Sequence, residues 1–364
     1  NIASTNFNLI NVMLPLGISF FTFQQIAYIV DSYKGLVKDY TLLDYSLFVT
    51  FFPQLISGPI TLYSELIPQF EDEKNKKFNS ENFSKGLMAF SFGIAKKVLI
   101  ADTFAIAANY VFGNPNDPNT TNLILGMLSY TFQIYFDFSG YCDMALGIGY
   151  MFNIKLATNF NSPYKSYSIG EFWKRWHMTL TRYFTTYIYI PLGGSRKGKI
   201  RTYINVFIVF LVSGIWHGAN FTFILWGILH GLASILNRIF KNTIEKTNAV
   251  FNWITTFLFI NFTWIFFRAN TITDAINMIK HILKLNFGPI DPEITSAFAL
   301  PELTGMADLL NMKGWIAENY SSLYLLLFFA FAFFAILCMK NTNERIDDFK
   351  PNLKTATLSA ILLV

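Results

Sequence analysis

The chain has 364 residues, of which 53% are hydrophobic, 18% aromatic and only 14% charged, with mean hydropathy +0.37 and formal net charge +5. A soluble domain usually carries about 25% charged residues, and the polar surface needed to cover a soluble chain of this size is missing. The composition therefore argues against soluble, disordered, fibrous and nucleic-acid-binding classes and for an all-α, polytopic transmembrane helical bundle.

Apolar runs long enough to cross a hydrocarbon core predict spans near 9–30, 87–112, 122–152, 202–217, 220–237, 249–268 and 322–339, with an incomplete one from about 355. Segment 45–63 is apolar but contains Pro53 and the Gly58-Pro59 pair, so it reads as a bent or re-entrant piece shielded by neighbouring helices. The long loop 153–201 contains an aromatic and basic stretch, Glu171 to Ile190, that reads as a half-buried or interfacial helix. Lys and Arg cluster at Arg196–Arg201, at Arg238, Lys241 and Lys246, and at Lys340, Arg345, Lys350 and Lys354, which places these loops on the cytoplasmic side. Loop 269–321 then falls outside; it carries six acids (Asp274, Asp291, Glu293, Glu302, Asp308, Glu318) against three lysines. No internal repeat is visible. Cys142 and Cys338 both lie in apolar stretches, so neither a disulfide framework nor a zinc site is expected. Residue 1 is Asn, and the last seven residues stop inside an apolar run. The expectation is one membrane-embedded domain over 1–364, truncated at both ends.

Polar groups inside spans are functional hypotheses by default. His217 ends an apolar run in Ser213-Gly214-Ile215-Trp216-His217-Gly218, where the flanking glycines allow close backbone approach and room for a substrate. Equally, it could be a structural histidine bonded to a carbonyl between helices. His230, thirteen residues later, reads first as a packing or hydrogen-bonding residue. His177 follows Phe172-Trp173-Lys174-Arg175-Trp176 and, taken alone, is an interfacial residue among snorkelling cations. His281 reads as a solvated surface residue. In the span 122–152, Gln133 and Asp137 share a helix face and Asp143 points elsewhere. These acids could relay ions, as in a transporter, or pair with Lys96, Lys97 or Arg182; the pairing is favoured for Asp143 and Asp137 stays open. The sequence has no His-Glu-x-x-His pair, P-loop or Gly-x-Ser-x-Gly elbow. An imidazole-based site within the membrane remains, suited to taking a proton from a hydroxyl.

Six strings in order carry a family resemblance: Leu14-Pro15-Leu16-Gly17-Ile18-Ser19-Phe20, Phe52 to Pro59, Tyr135 to Tyr141 with Asp143-Met144-Ala145, Glu171 to His177, Leu192-Gly193-Gly194, and Ile215 to Phe221. Together they resemble the membrane-bound O-acyltransferases, and within them the bacterial alginate O-acetyltransferase branch. The resemblance implies a catalytic histidine at His217 and a second functional polar residue at His177, forty residues before it. It leaves His230 a secondary candidate.

On that basis the expected activity is transfer of an acyl group, acetyl first, to hydroxyls of an exported or cell-surface polysaccharide, directly or through extracytoplasmic acetylation partners. The donor, acetyl-CoA or a relative, would be a substrate rather than a tightly bound cofactor. It would approach from the cytoplasmic face, drawn by Lys174, Arg175 and the Arg196–Arg201 loop. His217 would be the general base, with His177 orienting groups or stabilising charge. Trp173, Trp176 and Trp216 would line a pocket that keeps water out, with Gln133, Asp137 and His230 as further substrate-binding candidates. The resemblance places the chain in a bacterial cytoplasmic membrane. Rival readings are a transporter using Asp137 and Asp143, a scaffold for a surface-polymer complex, and transfer of D-alanyl or lipid acyl by the same site.

Overall fold

The computed structural model describes residues 17–37, 41–299 and 315–363, with side chains of the last segment described from residue 320; the described residues are helical, with no strand among them. Residues 9–16 of the first expected span, Leu14-Pro15-Leu16 of the first motif and residues 300–314 of the outer loop lie outside the described residues. Among the described residues, four helices are long and apolar enough to cross a membrane: Gly198–His217 (α9), Phe221–Ile239 (α10), Ala249–Arg268 (α12) and the Tyr320–Leu337 part of Trp315–Leu337 (α15).

The amino-terminal part is built of shorter pieces. Ile18–Tyr33 (α1) is followed by Leu42–Thr50 (α2), a 3-10 turn at Phe52–Gln54 and Tyr63–Glu71 (α3). The chain bends where Pro53 and Gly58-Pro59 predict that it should, and its irregular backbone finds partners in protein rather than lipid. Gln54 donates to Phe48 O (3.0 Å), Thr61 donates to Gln54, and the Ile60 N–H donates to Thr179 Oγ1 (3.0 Å). Arg182 pairs with Glu65 and also donates to Ile60 O at 2.9 Å.

The expected span 87–112 lies inside a longer helical run. Ser80–Ala95 (α4), capped by Asn79, passes through a wide π turn at Lys96–Ala101 into Asp102–Gly113 (α5). It packs along Thr120–Met151 (α6), and the two backbones meet at glycines: a Cβ on Gly93 would stand 2.6 Å from Gly140 O. Adjacent lysines at the π turn then serve two different acids of α6. Lys96 reaches Asp143 at 2.6 Å, and Thr342 donates to the same carboxylate at 2.5 Å. Lys97 bridges Asp137 (2.9 Å) and Asp102 (2.6 Å). Charges in the middle of this helix pair are thus matched by charges of the opposite sign.

Glu171 to Ile190 is not the single helix expected from the sequence. It splits into Ile169–Arg175 (α7), Met178–Phe184 (α8) and a π turn, Thr185–Tyr189. The break falls at Trp176-His177, where His177 takes a left-handed conformation (φ 43°).

Lys241–Lys246 (α11) and Ile272–Leu283 (α13) flank α12, and Pro292–Ser296 (α14) follows. This outer segment folds back on the α5–α6 turn, with Thr120 N–H donating to Asn286 O (2.9 Å) and Asn119 to Pro289 O (2.6 Å). Asn220, in the α9–α10 turn, donates to Asn270 O at 2.6 Å, so both turns sit on the side read as extracytoplasmic. Thr342–Asp347 (α16) and Leu353–Leu363 (α17) complete the described chain. The core is aromatic, with Phe104, Phe132, Phe172, Trp226 and Trp264 fully buried.

Candidate active site

α9 and α10 form a hairpin closed by residues 218–220. They approach so tightly because small residues face each other: a Cβ on Gly214 would stand 2.5 Å from Phe223 O, and one on Gly227 2.5 Å from Phe210 O. His217, the last residue of α9, is thereby set in an aromatic cage. The rings of Trp216, Phe267 and Trp226 stand 4.6, 4.9 and 5.3 Å from it, centre to centre. The imidazole is half-buried, and among the described residues neither ring nitrogen has a hydrogen-bond partner. Such a group keeps both nitrogens available to a substrate.

His177 comes to the same region from the break between α7 and α8. Its ring stacks on Phe20 (6.2 Å), Phe20 meets Trp216 edge-on (5.9 Å), and Trp216 touches His217. α6 meets His177 through Phe138, edge-on at 4.8 Å. On its other side, His177 Nδ1 lies 3.1 Å from Asn159 Oδ1.

His230 is used differently. The Trp173 indole N–H donates to His230 Nδ1 at 3.1 Å, which leaves the ring proton on Nε2. Nε2–H then donates to Thr263 Oγ1 (3.0 Å), whose own proton goes to Ile260 O (2.9 Å). Both nitrogens are satisfied and the residue is fully buried.

Along α10, Trp226, His230, Ser234 and Asn237 recur at spacings of four, four and three, forming one helix face. The lower part of that face lines a cavity of about 310 Å³ shared with Trp173, Phe210 and Ser213. Lys174 and Arg238, both exposed, stand at the end read as cytoplasmic, and no acid lines the cavity among the described residues. Ser213 precedes His217 by one helical turn, so the cavity rises from a cationic mouth toward the caged imidazole.

Four of the expected site residues, Arg175, Trp176, Asp137 and Gln133, line neither the cage nor this cavity. Arg175 is turned to Glu171, with two bonds at 2.8 and 3.1 Å, and to Asn161 O. Trp176 is buried against Phe172, Phe160 and Trp264. Asp137 is held by Lys97, and Gln133, one turn earlier, buries Oε1 without a partner among the described residues. Trp216 is in the cage, and Trp173 lies at the cavity wall. Phe20, Phe138, Trp226, Phe267 and Asn159 form the surroundings of the two histidines and were not singled out by sequence. Four of them are aromatic residues in a chain with 40 phenylalanines and seven tryptophans, so composition offered no means of choosing them.

A profile of the membrane-bound O-acyltransferase family matches residues 15–273. Among similar proteins, the peptidoglycan O-acetyltransferase of Helicobacter pylori is 46% identical over 319 residues, covering 78% of this chain and 60% of that protein. The probable alginate O-acetylase AlgI of Pseudomonas aeruginosa is 43% identical over 276 residues, 75% of this chain and 52% of that one. The teichoic acid D-alanyltransferase of Bacillus subtilis is 31% identical over 256 residues, 67% of this chain and 63% of its own. The chain thus spans between 52% and 63% of the length of these relatives.

Proposed function

Because the chain belongs to the membrane-bound O-acyltransferase family, we propose that it transfers acetyl from an activated cytoplasmic donor to hydroxyls of a cell-surface or exported polysaccharide. The similarity to a peptidoglycan O-acetyltransferase and to alginate O-acetylases supports this acceptor class. The same relatives, all bacterial, support a multi-pass protein of the bacterial cytoplasmic membrane. Extracytoplasmic partner proteins would complete delivery to the polymer.

The observation that carries this reading is the partner-free imidazole of His217 in its aromatic cage, one helical turn from Ser213 at the wall of the cavity that Lys174 and Arg238 also line. A thioester such as acetyl-CoA is drawn by its phosphates to the two cations and extends its acyl arm along the cavity. His217 takes the proton of the acceptor hydroxyl as its oxygen attacks the thioester carbonyl. The tetrahedral intermediate collapses with loss of the thiolate, which takes the proton from the imidazolium, leaving ester and thiol. His177 orients the reacting groups, and the rings around His217 exclude water that would hydrolyse the donor.

The test is the O-acetyl content of surface glycans in cells carrying His217→Ala at normal expression. A fall to the level of a deletion strain is expected, and unchanged acetylation removes the catalytic assignment. A second reading, D-alanyl transfer by the same site, is supported by similarity to the B. subtilis enzyme. Assaying ester-linked D-alanine in the same cells separates the two. The transporter reading is weakened by the ion pairs that occupy Asp137 and Asp143.

A further inference from the structure

Asn159 is 2% exposed, and both its oxygens serve the break between α7 and α8. Its backbone carbonyl accepts from Met178 N–H at 2.9 Å. Its side-chain Oδ1 accepts from the Thr179 N–H (3.2 Å) and the Thr179 hydroxyl (2.9 Å), while Nδ2 faces Cys142 Sγ at 3.4 Å. A backbone N–H can only donate, so the atom facing it must be the amide oxygen. The Thr179 hydroxyl already accepts from Ile60 N–H, and so gives its single proton to the same oxygen.

That oxygen is the atom 3.1 Å from His177 Nδ1. An oxygen that only accepts requires Nδ1 to carry the proton, and in a neutral imidazole Nε2 is then a bare lone pair. Among the described residues nothing hydrogen-bonds Nε2. His230 has the opposite tautomer, with its proton on Nε2 and both nitrogens used. Asn159 also holds the left-handed backbone of His177 (φ 43°, ψ 53°) by bonding both residues that follow it. Such a conformation persists only where its surroundings fix it.

We propose that Asn159 is a positioning residue that fixes the tautomer of His177, so that His177 offers an acceptor nitrogen, not an N–H, to the reacting groups. This deepens the acyl-transfer reading and rests on it. A bare Nε2 accepts from a hydroxyl or an amide N–H and cannot donate to a developing oxyanion. His177 therefore aligns the acceptor hydroxyl for His217, and oxyanion stabilisation falls to other groups.

The test uses the full-length protein in bilayers, with ¹⁵N-labelled histidine, as wild type, Asn159→Ala and Asn159→Asp; His177→Gln assigns the signal. In the wild type and in Asn159→Asp, which keeps an acceptor oxygen, the His177 ring is expected to show its proton on Nδ1. In Asn159→Ala that signature is expected to disappear. Turnover, read as thiol release from acetyl-CoA with acceptor glycan, is expected to fall on the order of 10²-fold in Asn159→Ala at unchanged donor KM. Asn159→Asp should lose less than about tenfold. The proposal is overturned by a wild-type proton on Nε2, by an Asn159→Ala protein with normal turnover, or by an Asn159→Asp protein as slow as the alanine variant. If Asn159→Ala does not fold, the wild-type and Asn159→Asp spectra decide. Absence of acyl transfer in the wild type defeats the functional reading, whereas the spectra still decide the tautomer.

Discussion

His217 and His230 share one helical hairpin and one aromatic neighbour, Trp226, yet their rings are provided for in opposite ways. His230 has a donor on one nitrogen and an acceptor on the other and is sealed from any probe. His217 is ringed by carbon, with no polar partner among the described residues. Burying a polar group without a hydrogen bond costs about 1–3 kcal/mol in proteins. The fold meets that cost fully at one histidine and leaves it unmet at the other. The neighbours of His230 close it, whereas His217 is left open, as the proposed general base needs to be.

The comparison can be broken at several points. The largest effect is expected for His217→Ala, which should reduce acyl transfer about 10²- to 10⁴-fold while changing unfolding stability by less than about 1 kcal/mol. Chemical denaturation in detergent beside the turnover assay reads both, and a large stability loss would make His217 a second structural histidine. Next comes Asp143→Ala, which leaves Lys96 buried and unpaired and should destabilise by about 3–5 kcal/mol. His230→Phe strands the Trp173 indole N–H, so about 1–3 kcal/mol of stability should be lost while the folded fraction keeps its turnover. Loss of turnover at full stability would move His230 into the reaction. The smallest effect is expected for Lys174→Gln with Arg238→Gln: a severalfold drop in kcat/KM for an anionic donor at low salt that fades as ionic strength rises. An equal drop at every ionic strength would mean the two cations do not steer the donor.

Much of the fold was legible because periodicity and length govern it. The apolar runs near 202–217, 220–237 and 249–268 correspond to α9, α10 and α12, and Pro53 with Gly58-Pro59 marked the bend. Asp143 was readable as a pairing residue, since a carboxylate in an apolar span needs a partner. The pairing of Arg175 was equally readable, because Glu171 lies four residues before it on the same helix face. The break at His177 was not legible. Nothing local in Trp176-His177-Met178 stops a helix; the left-handed turn is held by Asn159, eighteen residues earlier in the chain. The cage around His217 was hidden for a similar reason. Its members come from α9, α10 and α12, and only packing selects them from so many aromatic residues.

The cationic mouth has one more consequence. Lys174 and Arg238 are exposed at the end read as cytoplasmic, the side on which the phosphates of acidic phospholipids gather. Those headgroups and a phosphate-bearing thioester are rivals for the same two charges. On the proposed reading, apparent affinity for the donor should therefore rise and fall with the surrounding bilayer: in nanodiscs made richer in phosphatidylglycerol, donor KM should climb while kcat holds steady.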